Sequence, residues 1–134
     1  MNGVLVDSNV LLDVITEDEE FFAWSSSALT HLAEHAQLYV NPLIYAEVSV
    51  RYARREELDL ALSPVMVRRE ALPWEAGFLA GKSFVAYRRR GGARRSPLPD
   101  FYIGAHAAVR GFTLLTRDAE RYRSYFPRLE IHAP

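Results

Sequence analysis

The strongest constraint on the fold is Gly3-Val4-Leu5-Val6, a continuous apolar run that stops on Asp7-Ser8-Asn9. A strand with no polar alternation must be buried on both faces, as happens in parallel sheets covered by helices. Asp, Ser and Asn favour turns and caps, and Val10, Leu11, Val14 and Ile15 then follow helical spacing. The same grammar recurs along the chain. Phe21 to His35 reads as a helix with Phe21, Ala28, Leu29 and Leu32 inward, and Gln37-Leu38-Tyr39-Val40 as a second strand. Asn41-Pro42 starts a helix, because Asn caps well and Pro is tolerated at the first helical position. That helix carries Leu43, Ile44, Glu47, Val48 and Tyr52, and a further helical piece spans Glu56 to Leu62. Trp74 to Arg90 is amphipathic, with Trp74, Phe78, Gly81 and Val85 at helical spacing, and Gly91-Gly92 stops it. Asp100 to Arg110 is helical, and Phe112-Thr113-Leu114-Leu115 is a third strand closing on Thr116-Arg117-Asp118. A short helix and Leu129-Glu130-Ile131-His132 finish the chain. Alternating strands and helices predict an α/β fold with a mainly parallel central sheet. With no repeat or linker in 134 residues, one domain over 1–134 is expected.

Composition narrows the function. The chain is 49% hydrophobic and 25% charged, close to an ordinary globular protein. It contains no cysteine, which excludes disulfides, thiolate nucleophiles and Cys-based zinc sites. No apolar run approaches a membrane span and no basic leader precedes the first strand, so a cytoplasmic, non-membrane protein is expected. The net charge is −1, yet positive charge is uneven: Arg88, Arg89, Arg90, Arg94 and Arg95 crowd one stretch. Arg suits bidentate phosphate contacts. The cluster is readable either as RNA-binding or as a solvated helix end, where Arg is favourable without any function.

Four acids stand out by position. Asp7 and Asp118 follow the carboxyl ends of two apolar strands, the edge where open α/β sheets bind ligands. Either alone is also a common turn or capping residue. Glu47 lies beside the apolar stripe of its helix, between Leu43, Ile44 and Val50, where a carboxylate is costly unless paired or metal-bound. An i,i+4 pair with Arg51, or a snorkelling position at the rim, would be the simpler account. Asp100 follows Pro99 at a helix start, where the dipole favours it regardless of function. Together the four point further: clustered carboxylates repel unless a cation offsets them, and an all-oxygen set selects magnesium or manganese.

These segments resemble a known family. Val4-Leu5-Val6-Asp7-Ser8-Asn9-Val10-Leu11-Leu12-Asp13, Tyr45-Ala46-Glu47-Val48, Pro99-Asp100-Phe101-Tyr102-Ile103-Gly104-Ala105-His106-Ala107 and Leu114-Leu115-Thr116-Arg117-Asp118 are similar, in order, to the motifs of PIN domains. The nearest likeness is to the toxin nucleases of VapBC-type toxin–antitoxin pairs. The resemblance implies a three-layer α/β/α sandwich and a metal-dependent endoribonuclease, commonly a homodimer, with an antitoxin partner covering the active site. It places Asp7, Glu47, Asp100 and Asp118 on the catalytic metal site, with Mg2+ as cofactor and Mn2+ able to substitute. It places Asn9 and Thr116 on supporting polar positions. Asp13 matches a less constant acidic position without a catalytic role.

Other signals carry less. Ala76-Gly77-Phe78-Leu79-Ala80-Gly81-Lys82-Ser83 is similar to a phosphate-binding loop, but no strand precedes it and its apolar residues continue a helix. Its glycines are expected to permit close helix packing. His31 and His35 are an i,i+4 pair, and His106 is expected to face the core or the sheet. Two rival functions remain: a catalytically idle PIN fold that binds RNA or protein, and a phospho-accepting receiver domain. The receiver reading lacks an acidic doublet after the first strand, and Lys82, the only lysine, lies in mid-helix.

Overall fold

The computed structural model describes residues 2–94 and 98–134. The chain runs β1 (Val4–Val6), α1 (Ser8–Ile15), α2 (Phe22–Ala33), β2 (Leu38–Val40), α3 (Pro42–Ser49) and α4 (Arg55–Leu62). It continues through β3 (Arg68–Arg69), α5 (Trp74–Arg89), α6 (Pro99–Arg110), β4 (Thr113–Leu115), α7 (Ala119–Tyr125) and β5 (Ile131–His132). The five strands form one sheet in the order β3-β2-β1-β4-β5, with every pairing parallel. Helices cover it in a three-layer α/β/α arrangement, so the expected mainly parallel sheet is entirely parallel. The centre is apolar: Val4, Leu5, Val6, Leu114 and Leu115 are fully buried among α1, α2, α3 and α6.

Topology fixes where the acids go. From β1 the chain steps one way to β2 and β3, then crosses back to β4 and β5 on the other side. The crevice at such a reversal is where open α/β sheets bind ligands. Val6 is in register with Leu115, and the Asp7 amide donates to the Leu115 carbonyl at 2.9 Å. Asp7 and Thr116 therefore leave adjacent strands on the same edge.

A second apolar cluster of Ala76, Ala80, Phe101, Ala105, Tyr125 and Phe126 joins α5, α6 and α7. Phe101 stacks on Tyr125 with ring centroids 4.0 Å apart, which anchors the first turn of α6 beside Asp100. Gly104 is required there: a Cβ would meet the Phe126 ring at 2.4 Å.

Four details differ from the sequence reading. The stripe of α5 containing Trp74, Phe78 and Val85 faces outward, with Trp74 94% and Phe78 71% exposed. The face that packs is built on Ala76 and Ala80, whose small side chains let α5 sit close to α6. Gly77 and Gly81 do not mediate close packing, since a Cβ at either would meet nothing within 4 Å among the described residues. Val50 belongs to no buried stripe; it caps the end of α3 and is exposed. The strand β3, which the sequence did not suggest, is two exposed arginines pairing with Tyr39 and Val40 at the sheet edge. Charge on an edge strand discourages pairing with other chains.

Candidate metal centre

Asp7, Glu47, Asp100 and Asp118 come from four separate segments and line one cavity of about 440 Å³ with Ser8, Asn9, Arg117 and Arg121. Asp7 is the buried anchor. It caps α1, its Oδ1 accepting from the Ser8 amide at 2.9 Å and its Oδ2 from the Thr116 hydroxyl at 2.8 Å. Thr116 is itself buried, and its Oγ accepts from the Asp118 amide at 3.0 Å and the Asn9 side-chain amide at 3.3 Å. Asn9 completes the frame by accepting from the Arg117 amide at 3.2 Å. One hydroxyl and one carboxamide thus tie the ends of β1 and β4 together and set the directions of Asp7 and Asp118.

Glu47 reaches the cavity from α3, where its Oε1 accepts from the Ser8 hydroxyl at 3.1 Å. The simpler i,i+4 account does not hold, because no Glu47–Arg51 ion pair forms among the described residues. Asp100 sits in the first turn of α6. It accepts from Arg121 Nη1 at 2.7 Å and from the buried Tyr122 hydroxyl at 3.3 Å. The other nitrogen of the Arg121 fork pairs with Asp118.

The electrostatics are those of a site short of positive charge. Burial raises the Asp7 carboxyl above its ordinary value, and the nearby Asp100 charge adds to this against the hydrogen bonds from Thr116 and Ser8. Burial, and then the Asp7 charge, raise Glu47 in the same way. Tyr122 is pushed far up by burial and by the Asp7 and Asp100 charges, so its hydroxyl remains a donor at any working pH. Four hard oxygen donors around one small cavity, two of them strained toward protonation, suit a divalent cation of the magnesium class.

Ser8, Arg121 and Tyr122 join this group without having been singled out from the sequence. Only Arg121 had a local signal there: it lies three residues after Asp118, an i,i+3 neighbour on a helix. Asp13 stays apart from the cavity. It is buried and accepts from Arg117 Nε at 2.6 Å, Arg117 Nη2 at 3.1 Å and Ser25 Oγ at 2.6 Å. Arg117 also lies over the Phe21 ring, 4.0 Å from its centroid. Asp13 is therefore a structural clamp joining α1, α2 and the loop before α7.

The remaining candidates fall elsewhere. Within the arginine stretch, Arg88 donates to the carbonyls of Gly92 and Arg94, and Arg90 to that of Ser124, so both hold backbone. Arg89 and Arg94 are exposed, and Arg95 lies outside the described residues. His106 is fully buried, as its placement on α6 suggested. Its Nδ1 contacts the Asn41 side-chain amide at 3.0 Å and its Nε2 the Glu70 carboxylate at 2.6 Å. Since the amide nitrogen donates, Nδ1 accepts and Nε2 carries the proton. His31, Glu34 and His35 lie with ligand atoms within 4.8 Å of one another, but on the exposed end of α2 that leads into the amino edge of β2. A larger groove of about 600 Å³ runs beside α5 and α6; Glu130 is the one carboxylate in its lining, so the acid chemistry belongs to the smaller cavity.

The class is that of open, all-parallel α/β proteins that gather carboxylates at a topological switch point. The sequence profile of the PIN domain matches residues 4–127, and the chain belongs to that family. Its fold superimposes on a chain of VapBC2 from Rickettsia felis bound to a promoter DNA fragment, with TM-score 0.77, 15% identity and 98% of each chain covered. A chain of VapBC-1 from nontypeable Haemophilus influenzae gives TM-score 0.73 and 16% identity, over 97% of this chain and 96% of that one. A toxin–antitoxin complex from Klebsiella pneumoniae gives TM-score 0.70 and 20% identity, over 98% of each. No curated protein matches the sequence.

Proposed function

We propose that this PIN domain is a magnesium-dependent endoribonuclease and the toxin of a toxin–antitoxin pair. The observation that carries the reading is the convergence of Asp7, Glu47, Asp100 and Asp118 on one cavity from four separate segments. Those four carboxylates would hold Mg2+, or Mn2+ in its place. When bound, the metal supplies Lewis acidity toward a phosphodiester oxygen and lowers the pKa of water for in-line attack. Thr116 and Asn9 keep Asp7 and Asp118 aimed into the cavity, and Ser8 does the same for Glu47. No protein nucleophile is called for, and the products carry a 5′-phosphate and a 3′-hydroxyl.

The proposed partners rest on the surface and on the structural neighbours, one of which is described as a toxin–antitoxin complex. Trp74 and Phe78 on α5, with Val50, Leu60 and Met66 elsewhere, expose large apolar side chains suited to protein contacts. We assign such surfaces to a homodimer contact and to an antitoxin that covers the acid cavity. The exposed Arg89 and Arg94, together with Arg95, would meet RNA phosphates. No helix among the described residues is long and apolar enough to cross a membrane.

The test is a Mg2+ and Mn2+ titration by calorimetry of wild type and Asp7→Asn, followed by analysis of RNA ends. Binding that the substitution removes, with 5′-phosphate products, is expected. Cyclic 2′,3′-phosphate ends with full activity in chelator would overturn the mechanism. Absence of binding in the wild type would reduce the domain to an RNA- or protein-binding module.

A further inference from the structure

Arg121 stands where the charges of the cavity meet. Its two terminal nitrogens engage two different carboxylates, Nη1 on Asp100 at 2.7 Å and Nη2 on Asp118. Those acids come from α6 and from the loop before α7. Arg117 also lines the cavity, but its guanidinium is committed to Asp13. Among the described residues, Asp7 and Glu47 have no cation within ion-pair distance, so Arg121 is the one guanidinium serving the four acids. The Arg121 side chain is 48% exposed, whereas Tyr122 beside it is fully buried and donates to the other oxygen of Asp100. The tyrosine is therefore fixed, and the arginine head has solvent to move into.

We propose that Arg121 is a displaceable counter-ion of the acid centre, which competes with the divalent cation for Asp100 and Asp118 and so sets the affinity of the site. This rests on the metal-centre reading above. The physical reason is shared oxygens. A carboxylate oxygen pointing at a guanidinium cannot also turn all its charge toward a metal, and magnesium-class ions demand near-ideal octahedral geometry from the few protein oxygens they take. Whatever free energy the fork contributes in the absence of metal is subtracted from metal binding, and by linkage the metal must weaken the fork equally. The pairs are partly exposed and hence screened, so the effect is moderate. The benefit to the protein is that one unit of the negative charge on the four clustered carboxylates, shared between Asp100 and Asp118, is offset as the chain folds, before any divalent ion is taken up.

The experiment compares wild type, Arg121→Gln and Arg121→Lys by Mn2+ calorimetry, and by thermal melts in chelator and in saturating Mn2+. Arg121→Gln is expected to bind Mn2+ about tenfold more tightly, a shift of about 1.4 kcal/mol. It should melt lower than wild type in chelator and recover most of that loss in Mn2+. Arg121→Lys, a point charge without the fork, should fall between. An arginine with a purely structural role would instead lower the melting temperature equally in both conditions and leave Mn2+ affinity unchanged. That result, or weaker binding by Arg121→Gln, overturns the proposal while leaving the metal centre intact. If none of the three proteins binds Mn2+, the metal-centre reading falls, and the counter-ion role falls with it.

Discussion

Removing the Asp13 carboxylate should be among the most damaging single changes that leave all four cavity acids in place. Asp13 accepts three hydrogen bonds at 2.6, 2.6 and 3.1 Å, two from Arg117 and one from Ser25. In Asp13→Ala the buried Ser25 hydroxyl loses its acceptor, an orphaning that costs about 1–3 kcal/mol. The charge-assisted bonds to Arg117 are worth about 1.5–3 kcal/mol. Arg117 is 28% exposed, so its freed head regains water and the total settles toward the low end. A loss of about 3 kcal/mol follows, which for a domain of this length lowers the melting temperature by roughly 10 °C.

Urea and thermal unfolding of Asp13→Ala, Ser25→Ala and the double variant measure both the loss and its cause. Most of the Ser25 share comes from an unsatisfied hydroxyl, so the double variant should cost about 1 kcal/mol less than the sum of the singles. A loss below about 0.5 kcal/mol for Asp13→Ala would return Asp13 to an ordinary surface acid. A strictly additive cycle would show that Ser25 and Asp13 act independently, against the geometry of the clamp.

The other predictions concern charge and the buried polar network. Asp7 and Glu47 have carboxyls raised above their ordinary 3.8 and 4.5, so the folded state holds protons that the unfolded chain has released. Their stabilising contribution is complete below those ordinary values and is lost as pH rises through the folded ones, so metal-free wild type should gain stability on mild acidification. Glu47→Gln should flatten that slope in pH-dependent melts in chelator; a slope unchanged by the substitution would place the titration elsewhere. His106→Ala removes the partner of the Asn41 amide and one partner of Glu70, and should cost about 2–4 kcal/mol in urea unfolding. A near-neutral result would mean that water replaces the ring. Arg94→Ala with Arg95→Ala should weaken RNA binding and reduce its dependence on salt concentration. A salt slope identical to wild type would leave the arginine stretch with only its structural role.

The parts legible in the sequence were those whose cause is local. A continuous apolar run ending in Asp states at once that a strand is buried and that a carboxylate leaves its carboxyl end, so β1, β4, Asp7 and Asp118 could be read directly. Asn41 was readable as a cap, and its Oδ1 does accept from the Ile44 amide at 2.9 Å. The unreadable parts depend on distant partners. Asp13 and Arg117 are 104 positions apart, and Asn41 and His106 are 65 apart, so nothing local announces either contact. The orientation of α5 escaped for another reason. Helical periodicity reports that apolar residues share a face but not that the face is inward, and here two alanines pack while Trp74 and Phe78 remain outside. The strand β3 has no apolar pattern to find, since its two residues are exposed arginines placed by backbone pairing with β2.

The net charge of −1 conceals how the acids are matched. Away from the cavity, three carboxylates each have a guanidinium of their own: Asp13 with Arg117, Glu70 with Arg110, Asp59 with Arg69. At the cavity the matching fails, because Arg121 is shared between Asp100 and Asp118, and Asp7 and Glu47 receive only hydroxyl and amide donors. A chain near neutral as a whole, with one cavity short of positive charge, reconciles two demands. A polyanionic substrate is not repelled by the molecule as a whole, since exposed charges beyond about 10 Å are screened. A divalent cation would still find a site whose attraction no protein group cancels in full. The same imbalance predicts that added cations should stabilise this fold chiefly through the cavity, so a single neutralising change there alters cation dependence more than several changes on the surface.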